Sequence, residues 1–452
     1  MSVQRTFLIS TWLIKSFIKR YKTPVIIAAV AGALFAVGFW KLYPYLKANV
    51  FPERTVVGIV GSYRPTELPL PIQNYISAGF TTITENGEAV PLVASKWEVS
   101  KEGTRYFFYL NQGVRWHDGE ELTAHDVNYN FRDVTIAPAD RYTLKMELEE
   151  PFSPLPTLLS RPLFKPGLVG IGPYEVVRLD VEGEAVESLL LRRADDQHLD
   201  IPTTYTTELI EFRFYPSIEA AVLAFKLGEI DYIEGLPSKT ELATEGNVSI
   251  TQTDAPNTIL ALFYNHQHEL LGSKEFRQAL SYATPDLSGT PSRSVIPSTS
   301  WAYNENAKQY TPNPEKAQEM LEKSEVESPS ITLSVFPEYL LQAETIAAAW
   351  RELGVEVNVQ VVRFFPPDYE VLLGVQEIPS DPDQYQLWHS TQEQTNITHY
   401  NNQKIDKLLE EGRTLQLKEE RIEVYREFQR YIMEDNPAHF LVHPTVYRIS
   451  RT

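Results

Sequence analysis

The stretch Ile331–Val361, ITLSVFPEYLLQAETIAAAWRELGVEVNVQV, decides the fold. Ile331, Leu333 and Val335 alternate with polar neighbours, the period-two pattern of a strand. From Glu338 to Leu353 the spacing turns helical, and Gly354 supplies the residue type on which helices commonly end. Val355, Val357, Val359 and Val361 then alternate again. Strand, helix and strand in that order make a βαβ crossover, which sets its strands parallel. An α/β class follows.

Working outward, a second unit has the same grammar. Ile210, Phe212 and Phe214 alternate, Ser217 can cap a helix whose Ile218, Ala221, Val222 and Phe225 share a face, and Gly228 ends it. Ile230–Ile233 is the expected return strand. Two well-separated crossovers in 452 residues, too many for one core, predict two lobes with a parallel-stranded sheet in each. Upstream, Thr104–Phe131 reads as strand, turn, strand, an Asp118-Gly119 turn and a helix, with Thr123 and Asp126 as a capping-box variant. The chain closes with helices over Ile405–Gly412 and Lys418–Glu434 and a strand over His439–Val442.

Composition narrows the function. Hydrophobic residues make up 43% and charged residues 22%, the profile of a folded body. Seven basic residues and no acidic one fall within Met1–Lys47, so the remainder carries 34 basic residues against 60 acidic ones. A body that acidic repels phosphate backbones, which sets nucleic-acid binding aside. No cysteine is present, which excludes disulfides, thiolate metal sites, a thiol nucleophile and a lipidated cysteine anchor.

Between Lys22 and Lys41 lie eighteen uncharged residues, Thr23–Trp40, just enough helix for a bilayer core. More basic residues precede the span than follow it, which predicts a cytoplasmic N-terminus and an exported body. The expected layout is a basic segment at 1–22, an anchor at 23–46, a first lobe at 54–255 with 438–452 returning to it, and a second lobe at 256–437. A cleaved signal peptide is the alternative, though WKLYPYLKA after the span lacks a small-x-small site.

Trp97–Val127, WEVSKEGTRYFFYLNQGVRWHDGEELTAHDV, resembles the signature of the extracellular solute-binding proteins of family five, the oligopeptide, dipeptide and nickel receptors of ABC importers. Further stretches follow in the family's order: Gly172-Pro173-Tyr174, Ser217–Ile233, Leu262–Thr284, the run from Asn313, DPDQYQLWHS from Asp381, and Tyr400 through NPAHFLV. The resemblance implies a two-lobed, type II periplasmic-binding-protein (Venus flytrap) fold, here with an N-terminal transmembrane helix, that closes by a hinge on a solute. It also implies delivery to ABC permease subunits. Three departures stand out: a short Phe131–Pro166 interval, an abbreviated stretch after Ala283, and an apolar helix in place of the lipidated cysteine.

The resemblance makes the Trp97–Val127 block structural, and places Tyr75, Gly79 and Phe80 before a cleft-facing loop. In peptide receptors a carboxylate shortly before an acidic-Pro pair captures the peptide amine. Here Asp381-Pro382 supplies the pair, but Ile378 occupies the amine-binding position and Glu377 lies one step away. Asp381 and Asp383 also read as cap and turn residues. Trp388 and His389 suit stacking and polar capture, Trp301 is a second candidate wall, and Asn265 matches the family's strand-end asparagine. His266 and His268, with Glu269, would share a strand face as a metal pair, but no third ligand is evident, so no metal or cofactor is expected.

Enzyme signatures are missing: there is no G-x-S-x-G elbow, H-E-x-x-H helix or phosphate-binding loop. The sequence therefore predicts a monomeric, non-enzymatic receptor at the cytoplasmic membrane that captures small peptides or similar solutes. Alternatives are a receptor for a metal chelate, sugar or opine, and a membrane-bound sensor or scaffold that transports nothing.

Overall fold

In a computed structural model, which describes residues 53–195, 199, 201–239, 242, 247–255 and 257–451 together with 23, 27, 31–38 and 41, the Ile331–Val361 stretch forms its crossover. Strands Ser330–Val335 and Glu356–Val361 pair parallel, with Ile331 opposite Val357 and Leu333 opposite Val359. The connecting helix runs Leu340–Glu352, because the first turn of the apolar spacing, Pro337–Tyr339, is a 3-10 turn. Trp350 is fully buried on that helix, and its Nε1 donates to Leu280 O at 2.9 Å and Thr284 Oγ1 at 3.1 Å.

These strands belong to a six-stranded sheet ordered Thr290–Pro291, Ala438–His443, Thr258–Tyr264, Val371–Glu377, Ser330–Val335, Glu356–Val361. The strand TILALFY is an unbroken apolar run because both of its faces are covered. Ile259, Ala261 and Phe263 pack with Trp388, Phe428 and Phe440, while Leu260, Leu262 and Tyr264 pack with Phe276, Ile346 and Trp350.

The second crossover lies in a seven-stranded sheet ordered Val248–Asp254, Thr445–Arg451, Tyr232–Leu236, Arg54–Val60, Leu209–Tyr215, Ala185–Arg193, Tyr174–Glu182. Ser217 Oγ accepts from Ala220 N at 3.3 Å to cap helix Ile218–Leu227, and Gly228 ends it at φ 80°. The return strand is Tyr232–Leu236 rather than Ile230–Ile233, since Ile230 turns into the core beneath the sheet. Val57–Ile59 of the intervening strand pairs parallel with Tyr232–Glu234.

By compactness, Met1–Thr55 with Tyr205–Ile210 forms a small unit, in which Thr207 Oγ1 donates to Thr55 Oγ1 at 2.9 Å and Leu209 N to Glu53 O at 2.9 Å. Val56–Thr204 with Glu211–Thr452 forms the large unit, which carries the features that follow. Beside the seven-stranded sheet's strands, it holds a four-stranded antiparallel sheet ordered Ala94–Val99, Arg105–Leu110, Thr143–Leu148, Val134–Asp140, and a hairpin of Thr81–Ile83 with Ala89–Pro91. The Trp97–Val127 block serves this core: Tyr106, Phe108, Trp116, Leu122 and Ala124 are buried. The helix expected after Thr123 is a single 3-10 turn, Ala124–Asp126. Asp126 Oδ2 accepts from both Thr123 N at 2.7 Å and Thr123 Oγ1 at 2.8 Å, and Val127 turns extended so that Tyr129 and Phe131 can pack on the core.

The chain passes from the seven-stranded to the six-stranded sheet between Asp254 and Thr258, and back between His443 and Thr445. The crossings run side by side, with Ala255 N donating to Pro444 O at 3.0 Å. This corrects the expected return at 438. Residues 438–443 are a strand of the six-stranded sheet paired to Leu260–Phe263, and only Thr445–Arg451 joins the other sheet.

Among the described residues no helix is long and apolar enough to cross a membrane. Of the expected span, Thr23, Ile27 and Ala31–Gly38 are helical, while the rest of it, like the basic segment 1–22, lies outside the described residues.

Candidate functional site

Within the large unit a cavity of about 420 Å³ is lined by two sets of segments distant in sequence. Its first wall is Ser77–Thr81 and the tip of the Thr81–Pro91 hairpin; its second is Asn257, Ile296–Ser300 and Pro379–Gln384.

Local sequence explains the first wall. A Cβ on Gly79 would overlap the Leu159 carbonyl, so only glycine lets this backbone lie flat against Leu159 and Ser160. The hairpin turns through Asn86-Gly87, with Gly87 at φ 83°, and a Cβ on Gly87 would sit 2.5 Å from Ser380 O in the opposite wall. Asn86 O accepts from Trp301 N at 3.1 Å, and Glu88 pairs with Lys418. The hairpin tip is therefore seated between the two halves.

The second wall is held by a run of turns. Asp381 Oδ1 accepts from Asp383 N at 3.0 Å, and Asp383 Oδ1 accepts from Tyr385 N at 3.1 Å. Each carboxylate is also held by an arginine of the C-terminal helices Gln403–Thr414 and Lys418–Asp435. Arg421 grips Asp381 through two nitrogens, at 3.0 and 2.5 Å, and Arg413 binds Asp383 at 3.0 Å. Burial opposes the Arg421 charge, and the Asp381 carboxylate more than offsets this, so the guanidinium is held above its ordinary pKa. Burial pushes the Asp383 carboxyl up, against the pull of Arg413.

None of the seven residues singled out from sequence lines this cavity, although Asn74 beside Tyr75, Ser300 beside Trp301 and Pro382 beside Asp381 all do. The large side chains turn to the core and leave their neighbours on the cavity side. Tyr75 packs edge-on against Tyr174 and Phe212 at 5.6 and 5.7 Å, and its hydroxyl accepts from Thr204 N. Asn265 spends its amide on Tyr369 O at 2.7 Å and its Oδ1 on Gln267 N at 3.0 Å. Trp301 is a platform for two cations, Arg421 at 5.2 Å and Lys418 at 5.4 Å. It shares a neighbouring cavity of about 270 Å³ with Asp381 and Arg421.

Glu377 is exposed at the end of its strand, opposite Thr258. Trp388 is a core residue, 2% exposed and edge-on to Phe440. His389 stacks on Tyr385 at 4.1 Å, with Nδ1 2.8 Å from Thr391 Oγ1 and Nε2 3.3 Å from Glu410 Oε1, so both ring nitrogens are engaged. His266 and His268 do not share a strand face: their strand ends at Tyr264 and both lie in the turn beyond it. His266 packs edge-on to Tyr400, and burial, aided by Arg277, pushes its pKa down to about 3. Among the described residues no group of three or more histidines or carboxylates is arranged to hold a metal.

Sequence reasoning passed over Gln384, which is 1% exposed and lines the cavity. Its Oε1 accepts from Trp388 Nε1 at 3.2 Å, while its buried Nε2 has no partner. A polar residue at the start of the short helix Tyr385–Trp388 reads as a cap, but its side chain makes no capping bond. A wider groove of about 720 Å³ lies outside this wall, where Arg413 sits 5.0 Å from the Phe152 ring and 4.1 Å from that of Tyr385. There the arginine's charge is already matched by Asp383.

Comparison with known proteins agrees with this architecture. The family model for bacterial extracellular solute-binding proteins, family 5 Middle, matches residues 88–138 and 132–396. The chain is 24% identical to the dipeptide-binding protein of Escherichia coli strain K12, covering 80% of this chain and 82% of that protein. It is 22% identical to the oligopeptide-binding protein AppA of Bacillus subtilis strain 168, covering 86% of each. Among solved structures, the ABC transporter substrate binding protein CtaP from Listeria monocytogenes superposes with a TM-score of 0.75 at 21% identity, over 88% of this chain and 94% of that one. NikZ from Campylobacter jejuni in complex with Ni(L-His) gives a TM-score of 0.71 at 21% identity over the same shares. The two-sheet architecture, the paired crossings and the cavity between the walls thus meet a family match over most of the chain: the protein belongs to the bacterial extracellular solute-binding proteins of family 5.

Proposed function

We propose that this chain is the solute-capturing receptor of an ABC importer, taking a small peptide or a similar solute between its lobes. The first lobe comprises 54–255 with the final strand, and the second comprises 256–443. They move about the paired crossings at Asp254–Thr258 and His443–Thr445. The observation that carries the reading is the cavity of about 420 Å³, walled by both lobes and bordered at the first crossing by Asn257. Capture needs no covalent step: solute contacts with both walls stabilise the closed state by their difference in affinity for the two forms. Thr23–Trp40 anchors the receptor with its N-terminus inside and its body outside. A monomer delivers solute to permease subunits by lateral diffusion, at the high effective concentration that tethering provides.

A non-peptide solute is favoured by one observation. Ile378, at the position where peptide receptors hold the amine-capturing acid, is 6% exposed and packed in the hydrophobic core. Native mass spectrometry of the purified chain tests the receptor reading. The expected result is a bound small molecule that leaves on denaturation. A chain that carries nothing, and that no peptide or small solute stabilises against heat, would contradict it.

A further inference from the structure

The cavity's chemistry is set by what it lacks. Among the described residues that line it only Glu85 is ionisable, and Glu85 is exposed on the hairpin tip. The described residues around it present serine, threonine, asparagine and glutamine groups, backbone and aliphatic surfaces, and among them there is no cation and no aromatic ring. Asp381 and Asp383, on either side of the lining Pro382, do not line it and are gripped by Arg421 and Arg413. A zwitterion or anion drawn inside would therefore leave its carboxylate desolvated without a counter-charge, which disfavours it against a neutral solute of the same size.

One group of the lining has an unmet need. Trp388 Nε1 can only donate, so its bond to Gln384 fixes that amide with Oε1 toward the indole and leaves Nε2 as the unbonded end of a cavity-lining side chain. Nε2 is buried and unpartnered. A buried donor left unmade is costly, and a solute carbonyl in the cavity removes that cost.

Resting on the receptor reading above, we infer that the solute is a small neutral amide whose carbonyl accepts from Gln384 Nε2. An amine-blocked, carboxyl-blocked peptide has this chemistry; a free dipeptide does not. Gln384 positions the solute, and Trp388 orients Gln384.

The test is a charge series of one size, titrated calorimetrically into the full-length chain in detergent: N-acetyl-dialanine amide (neutral), dialanine (zwitterion), N-acetyl-dialanine (anion) and dialanine amide (cation). The neutral member is expected to bind at least tenfold more tightly than the zwitterion or the anion. Gln384→Glu keeps an oxygen for Trp388 Nε1 but removes the donor and adds a carboxylate. It should weaken the neutral member at least tenfold and tighten the cation; because Gln384 is 1% exposed the new carboxylate should also lower thermal stability, so affinities are compared well below both unfolding transitions. Tightest binding by the zwitterion or anion, or a neutral affinity that Gln384→Glu leaves unchanged, would overturn the inference and leave the receptor reading standing. Failure of all four probes to bind would overturn the inference, and the receptor reading would fall with it only if native mass spectrometry of the purified chain also shows no bound solute.

Discussion

Replacing Asp381 with alanine separates a structural carboxylate from a solute-binding one. Asp381 and Arg421 are 9% and 8% exposed at their side chains and are joined by two bonds. In Asp381→Ala the guanidinium keeps Gly412 O at 2.9 Å and Tyr425 Oη at 3.3 Å, but loses its only paired carboxylate among the described residues. An uncompensated buried charge costs about 3–5 kcal/mol, a large share of the roughly 5–15 kcal/mol that holds a domain folded. Urea unfolding of the body from residue 53, followed by tryptophan fluorescence, should show a midpoint lowered accordingly with a preserved slope. Substituting both partners, Asp381→Leu with Arg421→Met, should recover most of the loss, because two well-packed apolar side chains carry no desolvation penalty. A single-variant loss under about 1 kcal/mol, or a loss of solute affinity without a loss of stability, would refute the structural role.

Glu377→Gln should leave solute affinity unchanged in calorimetry, since the side chain is exposed outside the cavity; a loss equivalent to about 1.5–3 kcal/mol would put it at the solute's amine instead. His266, half-buried, and His439, buried, have pKa values pushed down to about 3, each chiefly by burial and then by a nearby arginine, Arg277 and Arg293 respectively. Both are neutral when folded but protonate near 6.5 when unfolded, so their stabilising contribution is complete above that pH and is lost as the pH falls below it. Between pH 6 and 5 urea unfolding should show a loss of about 2 kcal/mol, and His439→Gln should reduce the slope of that loss. Lys418→Met removes the ion pair to Glu88 on the seated hairpin; both partners are partly exposed, so the effect is at most about 1 kcal/mol, or roughly a fivefold rise in the open fraction by small-angle scattering.

The architecture was legible because it rests on periodicity. Ile331–Val361 announced its crossover through valine alternation and Gly354, and Ser217 and Gly228 bracketed the other helix; all of these are local signals. Errors came where tertiary packing overrode them. The Thr123 cap closes a single 3-10 turn because the following residues are needed extended on the core, and residues 438–443 stay in the six-stranded sheet because the crossing comes at Pro444. The site was legible only as a neighbourhood. Trp388 and His389 drew notice as large functional side chains, yet one fills the core and the other is saturated by Thr391 and Glu410. Gln384, between them and the turn, is a common residue in a cap position, and only three dimensions reveal that its amide nitrogen has nowhere to go.

Closure of the lobes on a solute is the central claim, and the absence of cysteine makes it measurable, because two introduced thiols are the only ones to label. Spin labels at Lys101→Cys on the first lobe and Glu423→Cys on the second, both exposed, report the distance between lobes by pulsed electron resonance. The account predicts a broad or two-peaked distribution without solute that collapses to its short component when a bound solute saturates the cavity. A single distribution, the same with and without a solute shown to bind, would contradict it.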